Sequence, residues 1–345
     1  MQTGILLSIN NGIEDAIYAL TGSLPIASLA MTFLQIAAIF GVISLAAVVQ
    51  VYMERRICAF IQVRRGPNRV GFHGMLQTVA DMIKLMSKED IVPSRARPIL
   101  WRIVPMALFI PAALVFAVFP FDDGAIFADL DMGIFFVLAV MSQGVLMFLI
   151  GGFASENKYS FIGGMRAVAQ MLSSEIPIAF AVLAVVMVTG SLRMSDIVAA
   201  QSDMWFIVFQ PLAFLIFICG MTMETNRTPF DLMEGEAEII AGPFTEYSGM
   251  RWALFFLAEY TNLLAAAILT VTLFLGGWQG PFLPGPAWFV IKVFGVIFLF
   301  MWIRWTFPRT RIDQMLSFSW KILLPLALFN IAATSIGLYL WHAQW

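Results

Sequence analysis

Histidine and cysteine are almost missing from this 345-residue chain. There are two of each, His73 and His342 near opposite ends and Cys58 and Cys219 far apart. A structural zinc site, a four-cysteine iron-sulfur cluster and a pair of haems held by four histidines all need more ligands than that. Charge is equally scarce: 12% of residues are Asp, Glu, Lys or Arg, against 60% hydrophobic, about half the charged share with which a soluble domain coats its surface. The net charge of −2 offers no basic face to nucleic acid. Walker, GxGxxG and GxSxG sequences are missing too, as is any internal repeat. A cytosolic enzyme, a disordered tail and a nucleic-acid binder are thereby excluded, and an all-α polytopic membrane protein is what remains.

Long apolar runs are what the chain does have. A hydrocarbon core of ~30 Å takes ~20 apolar residues per helix, and that ruler gives eight spans, at 24–53, 103–119, 133–153, 167–188, 204–222, 251–275, 287–303 and 321–341. Internal prolines such as Pro111 and Pro177 are tolerated where a neighbour satisfies the carbonyl they free. Ahead of the first span no basic region or small-residue cleavage site occurs, so the N-terminus reads as retained. Ile5, Leu6, Ile9, Ile13, Ile17 and Leu20 there suit a short interfacial helix within 1–23.

The twenty Lys and Arg residues set the orientation. Ten fall between Arg55 and Arg102, followed by Lys158, Arg166, Arg227, Arg251, Arg304, Arg309, Arg311 and Lys321, all on alternate loops. The positive-inside rule places loops 54–102, 154–166, 223–250 and 304–320 in the cytoplasm and both termini outside. The outer loop 120–132 agrees, carrying Asp122, Asp123, Asp129 and Asp131 and no basic residue. Lys292, close to the outer end of its span, reads as a snorkelling side chain. Within loop 54–102, Leu76, Val79, Ala80, Ile83 and Met86 mark one helical face and Gln77, Asp81, Lys84 and Lys88 the other, which predicts an amphipathic helix at the membrane boundary.

Two constellations could carry chemistry. The stretch from Glu224 to Glu238 holds Glu224, Asp231, Glu234, Glu236 and Glu238 around one arginine, Arg227, with Glu246 following. If 232–241 is helical, Glu234 and Glu238 face one another, and the interleaved Ile239, Ile240, Pro243 and Phe244 imply partial burial. Glu175 and Glu259 lie inside spans, about 12 Å deep at 1.5 Å per residue. An ionisable group at that depth costs at least ~2.5 kcal/mol and marks a functional site by default. The basic counterpart is Arg55 and Arg56, then Arg64 and Arg65 before the Gly66-Pro67-Asn68 turn, then Arg304, Arg309 and Arg311. Arg64, Arg304 and Arg309 are expected to pair with the acidic cluster. On the residues alone a proton relay, a cation transporter or channel, and a structural anchor all remain open.

Longer motifs narrow the choice. Glu54-Arg55-Arg56, Gln62 with Arg64-Arg65-Gly66-Pro67-Asn68, Ala80-Asp81, Glu224 to Glu238, Glu246-Tyr247-Ser248-Gly249, Ala258-Glu259-Tyr260, Phe307-Pro308-Arg309 and Asp313-Gln314 occur in order between the spans. From about residue 30 to the C-terminus the chain resembles the H subunits of proton-pumping NADH-quinone oxidoreductase, counterparts of mitochondrial complex I subunit 1. One small departure is Met315-Leu316 where the family has Leu-Met.

The resemblance implies a membrane subunit that walls the quinone chamber, anchors the peripheral redox arm and relays protons. The residues matching the family's chamber and entrance are Glu54, Arg55, Gln62, Arg64, Phe230, Arg304 and Arg309. Those matching its proton path are Glu175, Glu224, Asp231, Glu234, Glu236, Glu238, Glu246 and Glu259. It further implies that quinone is the substrate of the complex and that this chain binds no cofactor or metal alone. Flavin and iron-sulfur clusters would sit in partner subunits. The partners would be quinone-site subunits of the peripheral arm, small membrane-arm subunits and lipid, and the location a bacterial cytoplasmic membrane rather than the mitochondrial inner membrane.

Overall fold

The computed structural model describes residues 12, 13, 17 and 24–343, and among these the fold is all helical. The interfacial helix expected within 1–23 lies almost wholly outside the described residues, as do the side chains of Glu236, Ala237 and His342. Seven helices among the described residues are long and apolar enough to cross a bilayer. The first, α1 (Leu24–Ile61), has 38 residues, about 57 Å at 1.5 Å per residue. It runs on past the expected boundary at 53, so Glu54, Arg55 and Cys58 project from its last turns rather than from a loop.

Next come α2 (Gln77–Ser87), α3 (Pro98–Leu114), α4 (Gly133–Met141), α5 (Gln143–Ala154), α6 (Lys158–Thr189) and α7 (Met194–Ala199). The expected fifth span is split into α8 (Phe206–Phe209) and α9 (Pro211–Glu224). Pro211 drives the residue before it out of helical geometry, and Gln210 indeed takes φ −127° and ψ 53°. What remains, 14 residues, is shorter than a bilayer crossing requires. The Gln210 side chain covers the break by bonding Thr334 at 2.9 Å and Asn330 at 3.3 Å.

After α10 (Glu236–Ile239), α11 (Gly249–Phe274) forms the hub. Every residue from 263 to 274 is buried, as expected of a helix apolar on all sides. It packs against α1, α2, α3 and α12 (Gly285–Thr306). Helix α13 (Ile312–Phe318), a π-helical turn at Ser319–Leu323 and α14 (Leu324–Ala343) close the bundle, with α14 against α6.

Helix α2 is the expected amphipathic helix, and its seating is informative. Asp81 on its polar face turns inward to Arg55 of α1 at 2.5 Å, while Leu76, Val79, Ile83 and Met86 are exposed. A helix docked by its polar edge with apolar side chains outward fits a membrane boundary, where lipid covers the outer face. At the other end of the bundle, Arg193 pairs with Asp131 and Asp129 of the acidic loop.

Lys292 corrects its expected reading. It does not snorkel: its ammonium is buried and donates to the carbonyls of Leu275 (2.6 Å), Gly277 (3.1 Å) and Gln279 (2.5 Å), over the Trp205 ring. The turn after α11 leaves those carbonyls without helical partners, and Lys292 collects them. Lys292→Met would leave three carbonyls without their donor, one of those bonds buried and two half-buried, so a loss of roughly 1–3 kcal/mol is expected. The check is the thermal denaturation midpoint of the detergent-solubilised protein, which should fall.

Candidate functional site

Three helix ends and one loop meet where α1, α11 and α12 reach the basic end of the bundle. Glu54 is buried and accepts from Arg227 at 2.9 Å, from the Tyr260 hydroxyl at 2.8 Å and from Arg304 at 2.5 Å. Arg227, only 3% exposed, also reaches Glu259 through Nε at 3.2 Å and lies over the Tyr260 ring, 4.5 Å from its centroid. Two carboxylates and two guanidiniums thus balance in charge, which burial demands. Burial works against the charge on Arg227, but Glu259 and Glu54 outweigh it and push its pKa upward.

The loop that carries Arg227 is tied down on both sides. Gln170 of α6 donates to the carbonyl of Met223 (2.7 Å) and to Asn226 (3.0 Å), which sits at φ +51°. Thr310 donates from its amide and its hydroxyl to the carbonyl of Pro229, both at 2.9 Å, and Phe230 stacks on Phe318. Farther along, Gly163 of α6 and Gly242 touch backbone to backbone. A Cβ on Gly242, which has φ +52°, would lie 2.0 Å from the Met233 carbonyl oxygen. Only glycine fits there, and that contact seats the acidic loop on α6.

A second acidic group lies one turn away. Glu224 ends α9 buried, with the Ser174 hydroxyl 3.2 Å from its Oε2. Together with Glu175 it lines a 420 Å³ cavity otherwise walled by Phe135, Leu138, Ile178, Val182 and Met221. Because α6 begins at Lys158, Glu175 falls near the middle of a 32-residue helix, and Glu259 lies in the first half of α11. A further cavity of 390 Å³ opens between α1, α2 and α11. Arg55, Asp81, Lys84 and Tyr260 supply its polar wall, and Val51, Met82, Leu85, Trp252 and Phe256 are among its apolar lining. Tyr260 therefore borders this cavity while its hydroxyl bonds Glu54.

The structure brings Glu54, Arg304 and Glu259 into one network, joins Glu175 to Glu224, and puts Arg55 on the cavity wall. Asp231 and Glu234 are half-buried. Other expected members stand apart. Gln62 and Arg64 are exposed, and Arg64 donates to Gln62 at 2.7 Å and to the Cys58 thiol at 3.4 Å rather than to the acidic loop. The turn at Gly66 holds them at the surface. Arg309, though exposed, does meet the acidic stretch: its guanidinium lies against Gly235 and its charge acts on Glu238. Glu246 accepts from Asn157 at 2.6 Å.

Glu234 and Glu238 do not share a helical face. Gly235 is non-helical and Ile240 sits at φ +63°, leaving the four-residue α10 where 232–241 was expected. Glu238 instead pairs with Arg166 of α6. Two network members, Arg227 and Tyr260, fall within the sequence patterns above but are not assigned to the site by them. The signal was there: Arg227 is the only cation among the carboxylates of its stretch, and Tyr260 directly follows Glu259.

Comparison with known proteins gives a consistent result. A profile described as NADH dehydrogenase matches residues 34–335. The chain is 50% identical over 317 residues to the H subunit of NADH-quinone oxidoreductase from Carboxydothermus hydrogenoformans, covering 90% of this chain and 91% of that one. It is 48% identical over 297 residues to the corresponding protein of Dehalococcoides mccartyi, covering 86% and 84%. With an H subunit of the same enzyme from Geobacter metallireducens it shares 47% over 320 residues, covering 90% and 97%.

Two outcomes follow from the geometry. Arg227→Met leaves Glu54 and Glu259 buried with one cation fewer, and breaking a buried pair costs ~3–5 kcal/mol; the amount of folded chain recovered from membranes should drop sharply. The Arg166 hydrogen bond, with the charges of Arg166, Arg309 and Arg311, holds the Glu238 carboxyl below its usual range. A depressed value means that the pair's stabilisation is present above the unfolded carboxylate pKa of about 4.3 and is lost as pH falls through the lower folded one. Amide protection factors across 235–240, corrected for the intrinsic pH dependence of exchange, should therefore fall in acid, and Glu238→Gln should show that low protection already at neutral pH.

Proposed function

The chain belongs to the family of H subunits of NADH-quinone oxidoreductase, and from that premise we propose that it forms the membrane-side wall of the quinone chamber and passes the energy of quinone reduction into proton movement. It is a membrane subunit of an oxidoreductase complex and works with the other subunits of that complex. NADH, flavin and iron-sulfur clusters belong to those partners. In this reading the chain crosses a bacterial cytoplasmic membrane eight times, α8 and α9 together making one crossing, with both termini outside. The arginine-rich turn after α1 faces the peripheral arm.

The observation that carries the proposal is the continuity of polar groups from cavity to membrane interior. A quinone lying between α1, α2 and α11 meets an apolar wall suited to its tail, with Arg55, Asp81 and Tyr260 near its polar end. Reduction of a quinone to a quinol takes up two protons with two electrons, so the chamber gains and loses charge in each turnover. Tyr260 passes that change to Glu54, which shares Arg227 with Glu259. The segment 224–227 then leads to Glu224, Ser174 and Glu175. In a low-dielectric setting a balanced set of ions responds strongly to one displaced proton.

The test compares Gln with Asp at Glu175 and Glu259. Gln keeps the shape but cannot release a proton, whereas Asp keeps the acid with a shorter reach. A relay predicts severe loss of quinone reduction and proton uptake in sealed vesicles with Gln and partial activity with Asp, while NADH oxidation by an artificial acceptor at the peripheral arm stays intact. Normal pumping by both Gln variants would rule out the intramembrane path.

A further inference from the structure

Pro177 lies inside α6, and its ring nitrogen has no hydrogen to donate, so the carbonyl of Ser173 loses its helical partner. Within a bilayer such a carbonyl must be satisfied by a neighbour. The donor here is Ser319, whose hydroxyl lies 2.5 Å from the Ser173 carbonyl oxygen in a buried contact. Trp320 adds a bond from its indole N–H to the Ser173 hydroxyl at 3.2 Å, and that hydroxyl in turn donates to the carbonyl of Ala169 at 2.6 Å.

Both donors come from the π-helical turn between α13 and α14. The turn has a packing reason. Met315, Ser319, Leu323 and Ala327 are all buried at strict four-residue steps, yet in an unbroken α-helix each such step drifts by about 40°. One wider turn takes up part of that drift and delivers Ser319 and Trp320 to α6.

The neighbours of this contact are the acidic groups. The Ser174 hydroxyl has two acceptors, the carbonyl of Met171 at 2.8 Å and Oε2 of Glu224 at 3.2 Å, and its single hydrogen favours one at a time. Glu175 comes next, two residues before the proline. We propose that Ser319 and Trp320 are positioning residues for the Glu175 and Glu224 pair: by completing the carbonyl that Pro177 leaves open, they hold the turn of α6 at which Ser174 reaches Glu224. The inference rests on the proton-relay reading of that pair.

The test uses the assembled complex in sealed vesicles. Ser319→Ala should slow quinone reduction about five- to tenfold, the size expected for one orphaned buried acceptor. Ser319→Thr, which keeps the hydroxyl, should restore the rate. The double variant Ser319→Ala with Pro177→Ala should also recover, because residue 177 then regains an N–H for the Ser173 carbonyl. A merely space-filling serine would tolerate Ala and gain nothing from the second change.

The infrared signature of the Glu224 carboxyl group, assigned by its loss in Glu224→Gln, should shift in Ser319→Ala and return in the double variant. A parental rate and signature in Ser319→Ala, or a double variant no better than the single, overturns the proposal. Normal pumping by Glu224→Gln alongside a shifted signature in Ser319→Ala would instead sink the relay reading and leave the positioning role standing.

Discussion

Taking an ion out of water costs several kcal/mol even after relaxation, and the basic end of this bundle buries two, Glu54 and Arg227, with two more half-buried beside them. Glu54, Glu259, Arg227 and Arg304 come from α1, α11, the loop after α9 and α12. None could stay charged alone, so each element is held where its ion finds the others. The run of α1 beyond residue 53, the pinned loop at 224–230 and the central place of α11 all serve that requirement. Tyr260, bonded to Glu54 and bordering a cavity, ties the electrostatic knot to a space large enough for a ligand ring.

The same constraint explains why the acidic loop divides in two. Its first half, from Glu224 to Arg227, is buried and paired within the bundle, whereas Glu238 lies at the surface against Arg166. A non-helical stretch that includes Pro229 and Gly235 separates Arg227 from Glu238. The first half follows α9 inward while Glu238 pairs with α6. Charge density along a sequence therefore says little about depth here.

What can be read from the sequence is whatever depends on local periodicity or on counting. The all-helical membrane fold, the polar and apolar faces of α2 and the concentration of basic residues on alternate loops follow from spacing and sidedness. The register of long-range pairs does not. Glu54 and Arg227 stand 173 residues apart, and only the packing of α1 against α11 and α12 brings them together. Lys292 misleads because its partners are backbone carbonyls, which have no sequence signature. The fifth span lost its length to Pro211, whose effect on Gln210 is local, but whose toleration depends on Asn330 and Thr334 far along the chain.

Helix α2 docks through Asp81 and leaves its apolar side chains facing outward. On the proposed membrane-boundary seating, part of what holds it is not protein: the plane in which Val79, Ile83 and Met86 settle is set by where headgroups give way to acyl chains. Since α2 also forms one wall of the cavity beside Arg55, the width of that opening is shared property of polypeptide and lipid. On that proposed seating, bilayer thickness and headgroup packing become dimensions of the cavity, as much as any side chain in its wall.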